Sequence, residues 1–247
     1  MKDRSSTKLI LQNVSHNYGA VHVLHDLNVE VRPGEVVVLV GPSGCGKTTI
    51  LNLFSGHITP TSGNISREGE IRTVYQQDGL FPWLTVTENT GMGLRNMKDE
   101  AQRKHEIAEL LELVHLEAFG DHYPHQLSGG MRQRAELARV LAGDSDILLM
   151  DEPFSALDYQ SRLKMRAELI RVLEKRPRTV VFVTHDIEEA AQIGDRVLVL
   201  SKRPATVCYE LPIHAKRPRS VGDDEVVLAM KTILRELGLN TTNPAEL

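Results

Sequence analysis

Five consecutive apolar residues, Val36 to Val40, run without a break into Gly41-Pro42-Ser43-Gly44-Cys45-Gly46-Lys47-Thr48. No other stretch restricts the fold as strongly. A run that is apolar at every position has no solvent face, so it belongs in a sheet covered on both sides. The loop after it matches the spacing G-x-x-x-x-G-K-[ST]. Its glycines let backbone N–H groups turn inward around phosphate oxygens. The helix that follows, expected over about residues 47–55, points its positive end at the same place. In that setting Lys47 reaches the β- and γ-phosphates of a nucleotide, and the Thr48 hydroxyl ligates Mg2+. Residues 41–49, through Thr49, are therefore the first candidate binding segment. The plain alternative is a glycine-rich turn that holds no ligand.

Two further segments carry chemistry. Ile147-Leu148-Leu149-Met150 is a second buried strand and ends in Asp151-Glu152. Ligands of open parallel sheets sit beyond the carboxyl ends of the strands. Asp151 is thereby placed to hold Mg2+ through water, and Glu152 to orient and polarise an attacking water. Alone, the same pair also reads as acids at a helix start leading into Pro153. Leu127-Ser128-Gly129-Gly130-Met131-Arg132-Gln133-Arg134 is another glycine-containing turn that opens a helix. A serine hydroxyl, bare N–H groups and a helix dipole make a second anion site there. Two anion-binding ends and one phosphate loop suggest service to one nucleotide from opposite sides, from two subunits. As a cap alone, the segment is unremarkable.

The remaining pattern is α/β. Strands are expected at residues 9–14, 27–31, 35–40, 71–75, 147–150, 179–184 and 197–200, with a further short one around Ile65. Between about residues 85 and 145 the character turns to helix only. Thr85-x-x-Glu88 reads as a capping box. Ile107, Leu110, Leu111 and Val114 recur at helical spacing on one face, and a second helix is expected from Gly129 to Ala142. Another is expected at 160–175. A parallel-sheet core with a helical insertion results. After residue 212 comes a tail, with a helix near 223–237.

Composition excludes several classes. A net charge of −4 with pI near 6.2 lacks the basic footprint of a general nucleic-acid binder. The longest apolar runs are about five residues, against the roughly 20 that a membrane span needs. No apolar segment follows the charged start Met1-Lys2-Asp3-Arg4, so no secretory signal is expected. Two cysteines, Cys45 and Cys208, make no disulfide framework. The reading is a soluble cytoplasmic protein of 247 residues, the length of one α/β domain with an inserted subdomain.

Leu127-Ser128-Gly129-Gly130 beside the phosphate loop resembles the signature of the ABC transporter family, and the similarity covers about residues 8 to 212. The resemblance implies a P-loop NTPase fold of the ABC ATPase type, with a parallel-sheet core, an antiparallel β subdomain and a helical signature subdomain. The ATPase domain would span 1–212, its helical part lying at about 85–145, and 213–247 would be a short tail. Tyr18 resembles the aromatic that stacks on adenine. Gln76, in Val74-Tyr75-Gln76-Gln77-Asp78, resembles the glutamine that senses Mg2+ and the γ-phosphate; Gln77 is the alternative. Asp158, in Ser155-Ala156-Leu157-Asp158, resembles the loop that crosses the dimer interface, and His185 the switch histidine.

The implied protein binds ATP and Mg2+ and hydrolyses ATP. It pairs head to tail with a second copy, so that Ser128, Gly129 and Gly130 close on the partner's nucleotide. It docks on two membrane permease subunits at the cytoplasmic face of the inner membrane, served by an extracytoplasmic solute-binding protein, with no nucleic acid involved. Leu80-Phe81-Pro82-Trp83 followed by Thr85-Val86-Thr87-Glu88-Asn89, together with Thr184-His185-Asp186-Ile187-Glu188-Glu189-Ala190, resembles the nitrate, sulfonate and taurine importers. The stretch between Gly63 and Tyr75 is shorter than is usual in that group. Rivals are a soluble ABC ATPase of DNA repair or translation, a small-molecule P-loop kinase, and an exporter subunit.

Smaller features have two readings each. Phe81 and Trp83 either pack under the helical insertion or line a groove for a permease helix. His22-x-x-His25 and His122-x-x-His125 lack the partners of a metal site and read as surface histidines. Cys45 in the phosphate loop raises a reactive thiol as one option. Lys216-Arg217-Pro218-Arg219 reads as a solvated turn rather than a lipid site.

Overall fold

The structure, a computed structural model, describes residues 8–75 and 79–239. The chain starts with two long antiparallel strands, β1 (Lys8–Tyr18) and β2 (Val21–Val31), followed by β3 (Val36–Val40), α1 (Lys47–Ser55), β4 (Ser62–Glu68) and β5 (Ile71–Val74). The helical stretch holds α2 (Val86–Met92), α3 (Glu100–Leu113) and α4 (Gly129–Leu141). Alternation resumes with β6 (Ile147–Asp151), α5 (Tyr159–Lys175), β7 (Thr179–Val183), α6 (Ile187–Ile193) and β8 (Arg196–Leu200). β9 (Val207–Pro212) and α7 (Asp224–Glu236) complete it.

Two sheets result. One is antiparallel in the order β2-β1-β4; the other runs β5-β6-β7-β3-β8-β9, parallel except for β9. The uniformly apolar strands have the predicted two-sided burial. Val36, Val38 and Val40 pack with Leu148, Met150, Val180 and Phe182 on the side of the helical insertion. Val37 and Leu39 pack with Leu149, Val181 and Val183 on the opposite side, against α1 and the antiparallel sheet. Each such side chain contributes about 1.5–3 kcal/mol of burial, so a polar residue of either parity would be costly. Because β7 lies between β6 and β3, the carboxyl ends of all three strands meet at one sheet margin.

The insertion is built as its sequence indicates. The Thr85 hydroxyl accepts from the Glu88 N–H at 3.2 Å, and the Glu88 carboxylate accepts from the Thr85 N–H at 2.8 Å. Ile107, Leu110, Leu111 and Val114 are all buried. β1 and β2 extend beyond the expected 9–14 and 27–31. Asn13 and Asp26 take positive φ there and shift the pairing register, which hides strand alternation from a sequence reading. α6 and β9 were not expected. α6 has seven residues, too few for a helical period, and starts because the Asp186 carboxylate caps the Glu188 and Glu189 N–H groups. β9 is a half-exposed edge strand. Among the described residues no helix is long and apolar enough to cross a membrane.

The basic run after residue 212 is not a solvated turn. Only Lys216 is well exposed among its cations. The buried Arg219 guanidinium donates to the carbonyls of Ala191, Gly194, Ile213 and Ala215, and Arg217 pairs with Asp195 at 3.0 Å. Residues Val226, Ala229 and Ile233 of α7 join the same core as Ala190 and Ile193 of α6. Replacing Arg219 leaves several buried carbonyls without donors, each worth about 1–3 kcal/mol. Arg219→Met is therefore expected to lower unfolding free energy by about 2–4 kcal/mol, and the half-exposed Arg217→Met by about 1 kcal/mol or less. Urea midpoints check this; equal losses would refute the clamp.

Candidate functional site

The loop after β3 is shaped by two glycines with positive φ, Gly44 at +72° and Gly46 at +118°. A Cβ on Gly46 would lie 2.9 Å from both Leu24 Cδ2 and Val23 Cγ1, so any other residue would have to push those side chains aside as well as adopt a left-handed φ. The Cys45 N–H donates to the Pro42 carbonyl at 3.2 Å and closes the turn. Lys47 is buried, and its ammonium donates to the carbonyls of Gly41 at 2.8 Å and Pro42 at 3.1 Å. The lysine thus arches over its own loop.

A cavity of about 490 Å3 opens above it. Ser43, Gly44, Gly46, Lys47, Thr48 and Thr49 line it, with Tyr18 of β1, Val23 of β2, Glu152, Val183 and His185. Arg203, from the β8–β9 loop, also lines it. Val23 and Arg203 were not anticipated: one is an ordinary strand valine, the other a loop cation 156 positions from Lys47 in the chain. Gly41, Pro42 and Cys45 do not line the cavity. The Cys45 thiol sits in the core and burial raises its pKa, although Lys47 pulls the other way. A reactive thiol does not fit that environment.

Asp151 ends β6 and is buried. Desolvation raises its pKa; the Thr48 hydroxyl that donates to it lowers it, the Glu152 charge raises it, and Lys47 lowers it. Glu152 takes the left-handed backbone, φ +48°. Its N–H donates to the Val183 carbonyl at 3.0 Å, and its carboxylate lies 3.2 Å from Nδ1 of the exposed His185. The hydroxyl of Thr48 beside the carboxylate of Asp151 is a hard-oxygen donor pair suited to Mg2+, which takes its remaining ligands from phosphates and water. Among the described residues no cluster of three or more His, Cys, Asp or Glu forms a metal cage.

Other candidates lie elsewhere. Ser128, Gly129 and Gly130 open α4 and line no part of this cavity. Ser128 and Gly129 are exposed, and the Ser128 hydroxyl accepts only the weak cap from the Met131 N–H at 3.3 Å. Asp158 caps α5, accepting from the Ser161 N–H at 3.0 Å and hydroxyl at 2.6 Å, donors that hold its carboxyl below the usual range. Tyr18 is half exposed, its ring edge-on to His16 at 4.7 Å. Gln76, and Gln77 with it, lies outside the described residues; the flanking N–H groups of Tyr75 and Gly79 both donate to the buried Glu136 of α4, at 3.2 and 3.0 Å.

The buried acid has a consequence for stability. An aspartate unfolds to a pKa near 3.9, below its raised folded value. Between the two, the folded state holds a proton that the unfolded state releases, so stability falls as pH rises through that window and stays lower above it. Asp151→Asn, which removes the ionised carboxylate, is expected to raise the thermal midpoint of the nucleotide-free protein at pH 7. The gain should shrink as pH falls towards 4. A gain that is independent of pH would show that charge is not its cause.

Comparison with known proteins agrees with this geometry. Residues 24–155 match the ABC transporter family. The taurine import ATP-binding protein of Pelagibacter ubique is 40% identical over 232 residues, covering 85% of this chain and 88% of that protein. The sulfate/thiosulfate import ATP-binding protein of Pseudomonas aeruginosa is 45% identical over 209 residues, covering 78% of this chain and 63% of the relative. A solved structure described as the dimeric, post-hydrolysis state of an ATP-binding cassette bound to ADP and Pi superposes with TM-score 0.76 at 32% identity, covering 84% of this chain and 100% of the cassette. With the phosphate loop leading into α1, the acidic pair at the end of β6 and the Leu127–Gly130 turn at the start of α4, the chain belongs to the ABC transporter family as an ATP-binding, ATP-hydrolysing subunit.

Proposed function

We propose that this chain energises solute import by closing, as a head-to-tail pair, around two ATP molecules. One observation carries the reading. The exposed Ser128 and Gly129 and the half-buried Gly130 open α4 outside the cavity lined by Lys47 and Thr48, at a helix N-terminus whose N–H groups suit an anion. They are free to meet a nucleotide held by another copy. A cassette structure described as dimeric supports it.

In this reading Tyr18 stacks on adenine, and the N–H groups of residues 41–49 cradle the phosphates. Lys47 exchanges the Gly41 and Pro42 carbonyls for phosphate oxygens. Thr48 and Asp151 hold Mg2+, which when bound offsets charge developing on the phosphates. Gln76 senses the γ-phosphate, and Asp158 faces the partner copy. Glu152 orients and polarises the attacking water, and His185, already 3.2 Å from that carboxylate, contacts the γ-phosphate. Electrostatics and positioning do the rest.

Membrane coupling falls to a second groove of about 640 Å3, lined by Arg72, Tyr75, Phe81, Met92, Arg95 and Arg139 among others. Trp83 stands at 69% exposure with its ring 5.6 Å from that of Phe81, which disfavours packing beneath the insertion. Large aromatics left in water beside a groove suit a partner helix. We assign the groove to the cytoplasmic helix of a permease subunit, two of which would hold the pair at the cytoplasmic face of the membrane, together with an extracytoplasmic binding protein. The likeness to a taurine importer supports a small sulfonate-like solute. The sulfate importer is just as similar, in keeping with solute choice residing in the membrane and binding subunits.

Two experiments test this. Glu152→Gln is expected to keep ATP affinity and lower turnover by about a hundredfold or more. With ATP it should elute as a stable dimer in size-exclusion chromatography, whereas wild type should not; undiminished turnover refutes the role. Trp83→Ala should weaken co-purification with the permease, a truncation worth about 2 kcal/mol or more. It should leave basal ATPase and the thermal midpoint of the isolated subunit nearly unchanged. A large fall in midpoint with normal coupling would make Trp83 a core residue instead.

A further inference from the structure

Glu152 holds a left-handed backbone at φ +48°, which a glutamate keeps only where its surroundings over-determine it. On one side its N–H is fixed by the Val183 carbonyl at 3.0 Å. On the other, its carbonyl receives the side-chain amide of Gln133, Nε2 at 3.1 Å. Gln133 is buried on α4, and both ends of its amide are engaged. Nε2 also donates to the Ser155 hydroxyl at 3.3 Å, and Oε1 accepts the Ala156 N–H at 3.0 Å. The orientation of the amide is dictated, since the Glu152 carbonyl can only accept and the Ala156 N–H can only donate.

Gln133 lies about one turn from Gly129 and Gly130. Gly130 backs onto the same segment: a Cβ there would stand 3.0 Å from Leu157 Cδ2 and 3.2 Å from the Ala156 carbonyl. The start of α4 and the chain from Glu152 to Leu157 are therefore packed directly against each other. The buried amide and the close glycine contact, beside the shared apolar cluster of Leu127, Met131, Phe154 and Leu157, join the two segments.

We infer that Gln133 is a positioning residue for ATP hydrolysis: it sets the direction of Glu152 through the peptide that follows it and links that direction to the start of α4. This rests on the head-to-tail reading above, in which α4 meets the nucleotide held by the partner copy while Glu152 serves its own. Within each chain, Gln133 then joins the two composite sites. Engagement of one nucleotide by Ser128 and Gly130 sets the water-orienting carboxylate at the other.

The test uses the full chain with two near-isosteric variants. Gln133→Met keeps length and loses every polar contact. Gln133→Glu keeps an acceptor for the Ala156 N–H and loses the donor to Glu152. Both are expected to lower kcat about a hundredfold, the size of effect that small misplacement of a reacting group produces. KM for ATP should stay near wild type; the thermal midpoint should fall, since Gln133→Met strips partners from a buried amide site and Gln133→Glu buries a carboxylate there, so kcat is read per folded molecule. Added to Glu152→Gln, Gln133→Glu should still give an ATP-held dimer, because it removes no nucleotide contact.

Wild-type kcat in Gln133→Glu overturns the inference, since the Ala156 contact alone would then suffice. A KM that rises with the fall in kcat also overturns it, by making Gln133 a nucleotide contact. So does a lowered midpoint with normal kcat per folded molecule, which is a purely structural role. If Glu152→Gln alone forms no ATP-held dimer, the head-to-tail reading fails and this inference with it. If that dimer forms and the Gln133 variants turn over normally, only this inference fails.

Discussion

Two-sided burial of the central strands is the constraint on which the site depends. β3 is apolar throughout, β6 up to its last residue Asp151 and β7 after its first residue Thr179, so none can slip by one residue without pushing the side chains of one core into the other. Register fixes where each strand ends. Asp151 pairs with Val183, and Val183 pairs with Leu39, so the strands stop level with one another. The glycine loop, the Asp151-Glu152 pair and His185 come together as a result, although the loop lies over a hundred residues from the other two in the chain.

The site itself works against stability. Asp151 is an acid in a desolvated position with a raised pKa, Glu152 has a strained backbone, and Lys47 is a buried cation satisfied by two carbonyls of its own loop. A chain selected only for folding would keep none of these. Their tolerance comes from rigid neighbours. The core beneath the loop holds Cys45 and Phe54, and Gln133 and Val183 hold Glu152 from either side.

Helix α4 has a similar integrating role in the insertion. Its first turn exposes Ser128 and Gly129, its next holds Glu152 and Ala156 through Gln133, and Glu136 beyond that holds the N–H groups of Tyr75 and Gly79. Two segments far apart in the chain thus hang from one face of one helix.

What could be read from the residues alone was whatever depends on local chemistry. The phosphate loop, the capping box at Thr85, the buried strands and the helical face of Ile107, Leu110, Leu111 and Val114 all follow from short-range rules. Those rules are glycine φ, side-chain caps and hydrophobic period. The antiparallel sheet was legible only in part, because the positive φ of Asn13 and Asp26 breaks the alternation that marks a strand. Tertiary packing alone decided that Arg219 is a buried clamp rather than a surface cation, that Cys45 is a core residue, that Arg203 and Val23 border the cavity, and that Gln133 grips Glu152. The physical reason is the same in each case. An arginine, a cysteine or a glutamine has no fixed environment written into its own neighbourhood, and whether it is solvated, buried or engaged depends on which carbonyls and side chains the folded sheet brings to it.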